Sequence, residues 1–189
     1  MKILTSAVLA VLIGCSSVAA NEFQSELTAL ASGKIAEIAG SSEVVSAVKA
    51  QNEQTTGYDQ AKIDELDKQW RAEADAADQP MIDTVLENDL SAYLADAQGN
   101  SDGLFTEIFV MDAKGLNVGQ SDVTSDYWQG DEAKWKETFL KGKGAVHVGD
   151  LEQDESTQQL QSQVSVSVTD PATGETIGAV TFGVNVDKL

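Results

Sequence analysis

Cysteine and histidine each occur only once in this chain of 189 residues, as Cys15 and His147. A single cysteine cannot form an intrachain disulfide, and its place near the N-terminus leaves no thiol for catalysis further along the chain. One histidine cannot supply a multi-histidine zinc site, and the cysteine sets of structural zinc sites are absent. The sequence therefore predicts neither a metal site nor a cofactor, and we expect His147 to be a hydrogen-bonded strand residue.

Positive charge is also scarce. The chain has 12 lysine and arginine residues against 31 aspartates and glutamates, a formal net charge of -19, and Arg71 is its only arginine. A surface this acidic repels phosphates and anionic lipid head groups, which argues against nucleic acid and against electrostatic membrane binding. Cations, amines and basic patches on another protein are the partners that such a charge attracts.

Motifs of catalysis are missing. The chain has no G-x-S-x-G nucleophile turn, no H-E-x-x-H zinc motif and no phosphate-binding glycine loop. Asp126 and Asp131 are close enough in sequence to be considered for acid-base work, but spacing alone gives such a pair no geometry. The sequence therefore predicts a protein that is not an enzyme.

Only one apolar run stands out, at residues 3–13. It is shorter than the roughly 20 residues that span a bilayer, and it lies between a basic start and the small residues 18–20, as in a secretory signal peptide. The sequence therefore predicts a signal peptide at 1–20. Residues 12–15 (Leu-Ile-Gly-Cys) also resemble a lipobox, in which the cysteine carries lipid. Either way we expect an exported, periplasmic chain, soluble in one case and lipid-anchored in the other.

The remainder divides by pattern near residue 100, and we expect both parts to form one domain, residues 21–189. Residues 21–100 are rich in Ala, Glu, Gln and Lys, with apolar residues at intervals of three and four. We predict three or four helices there. One runs from about residue 59 to 77, and another begins at Pro80 and ends near residue 97.

Residues 101–189 change to the period of two that is typical of strands. The pattern predicts strands at 104–111, 116–120, 145–151, 159–170 and 176–186, with one helix at 130–141 between the second and third. Two glycines in the last strand, Gly178 and Gly183, predict a close approach of neighbouring segments.

Valine alternates with small polar residues in the fourth predicted strand. One face of the sheet is therefore expected to be core and the other polar: Val164, Val166 and Val168 against Gln163, Ser165 and Ser167.

Two stretches carry a resemblance to a known family. "FVMDAKGLNVGQSDVTSDYWQGDEAKW" (109–135) is similar to the strand, D-x-x-G turn, second strand and S/T-x-D-Y-W-x-x-D segment of extracytoplasmic Cache domains. "SQVSVSVTDPATGETIGAVTFGVNVDKL" (162–189) is similar to their closing hairpin. Over residues 22–189 the chain resembles a single Cache (PAS-like, PDC) sensor domain in a stand-alone exported form. The resemblance implies an α+β fold: a five-stranded antiparallel sheet with an N-terminal helical layer and one helix between strands 2 and 3.

Cache domains bind small molecules between the sheet and the segment before the helix, so the resemblance implies a ligand-binding sensor. It places six residues at the ligand site: Asp126, Tyr127, Trp128, Asp131, Gln163 and Ser165. Amino-acid-binding members grip a carboxylate with an arginine before the helix, and this stretch has none. Arg71 is expected to pair with glutamates, with a role in the pocket as the alternative. Acidic and aromatic side chains favour a cationic ligand, so we expect an amine or an amino acid.

The aromatic residues also have structural interpretations. Trp135 and Phe139 lie four residues apart and should share the core-facing side of a helix. Trp70 is expected to pack in the core. For Tyr127 and Trp128, core packing and pocket lining both stay open.

Two functions follow. The first is an exported small-molecule-binding sensor domain that passes its ligand state to a partner, expected to be an inner-membrane receptor or another periplasmic protein. The expectation of a partner rests on the end of the chain at Leu189, soon after the last predicted strand. The alternative is a ligand-free periplasmic interaction module that docks through its acidic surface.

Overall fold

The computed structural model describes residues 21–153 and 159–189. The signal peptide predicted at 1–20, with its lipobox at 12–15, lies outside the described residues. Within the two described ranges no helix is both long enough and apolar enough to cross a membrane.

Helices occupy most of the chain between residues 24 and 99. Three of them begin at a side-chain cap, since Ser41, Asp59 and Asn88 each accept a hydrogen bond from a backbone N–H of the first helical turn. The segments are α1 (Gln24–Leu30), a π-helical turn (Ala31–Ile35), α2 (Ala36–Ala39), α3 (Ser42–Thr55), α4 (Gln60–Ala74), α5 (Pro80–Leu86) and α6 (Asp89–Gly99).

Two of the predicted helices differ from the observed ones. The helix predicted from Pro80 to about residue 97 is divided into α5 and α6, because the Asn88 side chain accepts from the Ser91 N–H at 2.8 Å and begins a new helix. The helix predicted to reach residue 77 ends at Ala74, where the Ala76 N–H turns back to the carbonyl of Glu73 at 2.8 Å. The described residues before 100 therefore contain more helical segments than the three or four predicted.

Five antiparallel strands form one sheet in the order β2-β1-β5-β4-β3. The strands are β1 (Phe105–Met111), β2 (Asn117–Gln120), β3 (Val146–Gln153), β4 (Leu160–Thr169) and β5 (Thr176–Asn185). This sheet, preceded by the helical layer, confirms the predicted α+β fold of the PAS/Cache type.

The helix predicted at 130–141 is present in its place between β2 and β3 but is shorter. It consists of α7 (Ala133–Lys136) and a separate 3₁₀ turn (Phe139–Lys141). Thr138 interrupts the two with φ -115° and ψ -74°, and Gly142 ends the segment with φ 92°. Neither conformation continues an α-helix.

Residues that pair directly on neighbouring strands have their side chains on the same face of the sheet. On the first face Ile108 pairs with Phe182, and Phe182 pairs in turn with Val164. This face is buried against α1, α3 and α6, and its core includes Leu27, Val44, Val48, Leu90, Leu94, Val110, Val166, Val168, Val180 and Val184. The predicted valine face of the fourth strand is therefore confirmed.

The second face is the polar one, as predicted. One row of paired residues crosses all five strands: Gln120, Phe109, Thr181, Ser165 and His147. The next row contains Glu107, Gly183 and Gln163. Trp135 and Phe139 stack with ring centroids 4.9 Å apart and pack on the apolar residues of this face. Trp135 is buried, in agreement with the prediction, whereas Phe139 is partly buried against the same cluster.

Close approach at the two glycines of β5 is also confirmed. A Cβ at Gly178 would fall against the carbonyl oxygen of Met111, and one at Gly183 would fall against Thr106 Oγ1. Since the first obstacle is backbone, it cannot move aside as a flexible side chain can. Glycine at residue 178 is therefore required by the pairing of β1 with β5.

Val164→Ala should test the first face as the stabilising core. The side chain is fully buried, so losing two carbon atoms and leaving a cavity should lower the free energy of unfolding by about 2 kcal/mol. Val123→Ala is the matched control, because Val123 is 47% exposed and should change stability by less than about 0.5 kcal/mol. Urea denaturation measures both. Equal losses in the two variants would contradict the assignment.

Candidate functional site

The connection between β2 and β3 packs on the second face through α7 and the 3₁₀ turn, and before them it runs along β2, where Trp128 pairs with Leu116. We call residues 121–132 of this connection the covering segment. Polar side chains that are buried or half-buried gather on the face, on the segment and at the start of α7: Glu107, Asn117, Gln120, Thr124, Gln129, Lys134, Gln163, Ser165 and Thr181. Convergent polar groups in a largely buried setting are typical of binding sites, whereas a domain core is normally apolar.

Glu107 is the acidic group of this face. It occupies the space left by Gly183, where a Cβ would meet Glu107 Cγ at 2.7 Å. Its Oε1 accepts a hydrogen bond from Gln163 Nε2 at 2.9 Å. Burial raises the pKa of Glu107 above its ordinary value, while the Gln163 hydrogen bond and the charge of Lys134 act in the other direction. A further positive charge near Glu107 would therefore be held favourably.

Lys134 is the basic group beside it. Its side chain is only 13% exposed, and its Nζ lies 5.3 Å from the centroid of the Phe109 ring. The ammonium contacts Gln129 Oε1 at 3.2 Å and Glu132 Oε2 at 2.9 Å. Because an ammonium has three donors, Lys134 can bind one more acceptor with these contacts in place.

The backbone carbonyl of Asp126 is a hydrogen-bonding hub of the covering segment. It accepts from three side chains: Asn117 Nδ2 at 3.1 Å, Thr124 Oγ1 at 2.8 Å and Gln129 Nε2 at 3.0 Å. Asn117 Nδ2 also donates to Gln120 Oε1 at 3.2 Å. A continuous network thus runs from Lys134 through the covering segment to the side chains of β2.

Two buried atoms of this network have no hydrogen-bond partner among the described residues. They are Asn117 Oδ1 and Gln120 Nε2, on side chains that are 0% and 1% exposed. An unpartnered buried amide group costs about 1–3 kcal/mol of stability, so such atoms are rare in folded proteins. Asn117 and Gln120 therefore combine a free acceptor with a free donor beneath the covering segment.

The covering segment is fastened to α4. Asp67 Oδ1 accepts from the backbone N–H groups of Tyr127 and Trp128, both at 3.0 Å. The Trp70 indole N–H donates to the carbonyl of Thr124 at 2.8 Å, and its ring stacks on Tyr127 at 5.4 Å between centroids. Trp70 is fully buried, which confirms its predicted place in the core.

Arg71 completes this attachment. Its Nε binds Asp67 at 2.7 Å, and a terminal guanidinium nitrogen binds Asp126 Oδ2 at 2.8 Å. The prediction that Arg71 forms salt bridges is confirmed, but its partners are aspartates and not glutamates. The reason is that α4 packs beside the covering segment, which brings together residues 55 positions apart in sequence.

All three predicted site residues of the D-Y-W stretch contact other groups of the protein. The Asp126 carboxylate is paired with Arg71. Tyr127 is buried in a cluster with Trp70, and burial raises the pKa of its hydroxyl, with smaller contributions from Asp112 and Tyr58. Trp128 is half-buried and donates its indole N–H to the carbonyl of Lys114 at 2.9 Å. These residues position the covering segment.

The other three predicted residues lie elsewhere. Gln163 and Ser165 are on the polar sheet face, where Ser165 shares a hydrogen bond of 2.9 Å with Thr181. Asp131 is exposed on the covering segment. The hydrogen bonds and ring contacts of the described residues do not join the side chains of the D-Y-W stretch directly to Gln163 or Ser165.

Four residues of this region are not among the predicted site residues: Glu107, Asn117 and Gln120 on the strands, and Lys134 in α7. A signal existed for Glu107, which interrupts the apolar run of β1 at a position that alternates with Ile108. The signal for Asn117 and Gln120 was weaker. They are the polar residues at the two ends of β2, a strand of four residues that are all buried.

Three surface cavities lie apart from the polar residues named above, with volumes of about 350, 600 and 480 Å³. The first is between the helices around Ala31–Gly40 and the start of β3, and the others flank α3. None of these three is lined by any of the six predicted site residues. Among the described residues, no three His, Cys, Asp or Glu side chains are grouped as a metal site requires.

Comparisons with known proteins give a likeness of architecture. No protein-family profile matches the chain, and no curated protein matches it in sequence. Among solved structures it is similar to the sensor domain of the V. cholerae histidine kinase DctB, with 13% identity and a TM-score of 0.43 over 88% of this chain. It is also similar to the sensory domain of the Campylobacter jejuni chemoreceptor Tlp3 with isoleucine bound, with 13% identity and a TM-score of 0.41 over 85% of this chain.

A third similar structure is the ligand-binding domain of the Pseudomonas fluorescens chemoreceptor CtaA in complex with L-valine, with 12% identity and a TM-score of 0.38 over 69% of this chain. The alignments cover 56%, 63% and 64% of the DctB, Tlp3 and CtaA chains respectively. This chain therefore matches less than two thirds of the length of each.

Glu107→Gln should show that the ionised carboxylate of Glu107 lowers the free energy of unfolding at neutral pH. Because its pKa is raised in the folded state, the folded protein binds more protons than the unfolded chain just above the ordinary glutamate pKa, and stability falls as pH rises through that window. The amide removes this loss and can still accept from Gln163. We expect a higher free energy of unfolding than wild type at pH 7 and little difference at about pH 3.

Urea denaturation at the two pH values measures the effect. Glu37→Gln is the control, since it makes the same exchange at an exposed glutamate of α2, where a substitution should change stability by less than about 0.5 kcal/mol. A Glu107→Gln protein that is less stable than wild type at pH 7 would show that the carboxylate stabilises the fold.

Proposed function

We propose that this protein is a small-molecule-binding sensor domain whose ligand lies on the polar face of the sheet, beneath the covering segment. The observation that supports this most is the pair of unpartnered buried atoms, Asn117 Oδ1 and Gln120 Nε2, on the sheet face that also carries the half-buried Glu107 and packs against the half-buried Lys134. A core has no use for such groups, whereas a ligand with matching polar atoms would satisfy them.

The ligand class that fits is an amino acid, with a simple amine as a partial match. Glu107 offers a carboxylate to the ligand ammonium, and Lys134 offers a third donor to the ligand carboxylate. Lys134 thereby takes the role that the family resemblance assigns to an arginine before the helix. Gln163 and Ser165 lie on this face as predicted, and Asp126, Tyr127 and Trp128 contribute by holding the covering segment. Asp131 stays a predicted ligand contact, at the exposed side of the covering segment.

We further propose that the domain is exported to the periplasm and passes its ligand state to a partner such as an inner-membrane receptor. The apolar run at residues 3–13 with the small residues that follow it supports export. The alternative is a ligand-free interaction module, which the formal charge of -19 favours, since such a surface attracts a basic partner.

A thermal-shift screen of amino acids, amines and carboxylates tests the proposal. A ligand that binds only the folded protein at 100 times its Kd should stabilise it by about 2.7 kcal/mol. Glu107→Gln should abolish the shift, because it removes the charge that binds the ammonium. Glu37→Gln is the matched control: it also replaces a carboxylate by an amide, on an exposed residue of α2, and the shift should survive.

Loss of the shift in Asp126→Asn with retention in Glu107→Gln would return the site to the predicted D-Y-W stretch. If no compound shifts the melting temperature and a basic partner binds in a salt-sensitive way, the interaction module is correct and the sensor proposal is wrong.

A further inference from the structure

We propose that Asn117 and Gln120 form a subsite for a carboxamide, so that the preferred ligand is an amino acid with a carboxamide side chain. This inference rests on the proposed function, since it names the ligand class of the same site. It depends on the orientation of the two side-chain amides, which their surroundings determine.

The orientation of Asn117 is fixed by a backbone group. A backbone carbonyl can only accept, so the Asn117 atom that lies 3.1 Å from the carbonyl oxygen of Asp126 must be the amino nitrogen. That nitrogen in turn can only donate, so the Gln120 atom at 3.2 Å from it must be the carbonyl oxygen. The two unpartnered atoms are therefore an acceptor on Asn117 and a donor on Gln120.

These atoms lie on the same sheet face as the charged groups. Gln120 pairs directly with Phe109 across β2 and β1, and the Lys134 ammonium lies 5.3 Å from the ring of Phe109. Glu107 precedes Phe109 by two residues and so points to the same face. A ligand with its charged end at Glu107 and Lys134 would thus extend its side chain along the sheet towards Asn117 and Gln120.

The chemistry of the pair selects among side chains. A carboxamide supplies one donor and one acceptor and can satisfy both free atoms. A carboxylate can accept from Gln120 Nε2 but repels Asn117 Oδ1. An ammonium can donate to Asn117 Oδ1 but cannot accept from Gln120 Nε2. An apolar side chain leaves both atoms unpartnered and excludes water from them as well. A site built to hydrogen-bond a polar group discriminates strongly against analogues that lack it.

Both atoms are covered in the structure, so a ligand reaches them only when the covering segment moves away from the sheet. The hydrogen bonds of the Asp126 carbonyl link that movement to Asn117 itself. Binding should consequently be slower than diffusion-limited association.

Isothermal titration of the wild-type chain with L-glutamine, L-asparagine, L-glutamate and L-leucine tests the inference. We expect L-glutamine or L-asparagine to bind about tenfold or more tightly than the isosteric acid and than L-leucine. These four probes share the same ammonium and α-carboxylate, so differences among them report the side-chain subsite alone.

Gln120→Glu assigns the preference to the subsite. The substitution keeps the acceptor that binds Asn117 but replaces the free donor by a carboxylate oxygen, so the preference for a carboxamide should be lost. Gln24→Glu makes the same change of charge on the exposed side of α1 and should leave the preference intact. Circular dichroism melting shows whether each variant folds.

The outcomes separate this inference from the proposed function. Equal affinities for the four probes, or tighter binding of L-leucine, would overturn the carboxamide subsite and leave the amino-acid sensor standing. Failure of every amino acid and amine to bind would reject the proposed function and this inference with it. If Gln120→Glu does not fold, the ranking of the four probes on the wild-type chain still decides.

Discussion

The register of β4 against β5 is the constraint on which the rest of this structure depends. Nine residue pairs, from Gln161–Asn185 to Thr169–Thr176, fix which side chains of the two central strands face the helices. A slip of one residue would exchange the valines of the core with the polar residues of the other face. The same pairing therefore creates the hydrophobic core and, on its reverse, the polar surface on which a ligand can be held.

That polar face is stabilised differently from the core. The covering segment is held from outside by α4, through Asp67 and Arg71, and from the side of β2 by Asn117, whose Nδ2 donates to the Asp126 carbonyl. Beneath it, a carboxylate with a raised pKa and two unpartnered amide atoms are retained although each of them destabilises the folded chain. Groups of this kind are expected where stability has been exchanged for binding.

The sequence predicts the sheet well because its signals are local: alternation in the strands and glycine turns between them. It fails where one side chain decides a boundary, as Asn88 does by starting α6 within an apparently continuous helix. Gln163 and Ser165 could be assigned to a polar face from alternation alone. The role of Asp126 could not, because Arg71 lies 55 residues away in sequence and only the packing of α4 brings the two together. Glu107 was not predicted as a site residue, because it lies within an apolar run.

Nuclear magnetic resonance of the side-chain amides would show whether the ligand lies on the polar sheet face. The protein, labelled with nitrogen-15, would be titrated with a mixture of amino acids and amines. We expect saturable shifts of the side-chain NH₂ signals of Gln120 and Gln163 and of the backbone signal of Glu107. Saturable shifts confined to the cavity at Gly40 and Val146, with these signals unchanged, would contradict this expectation.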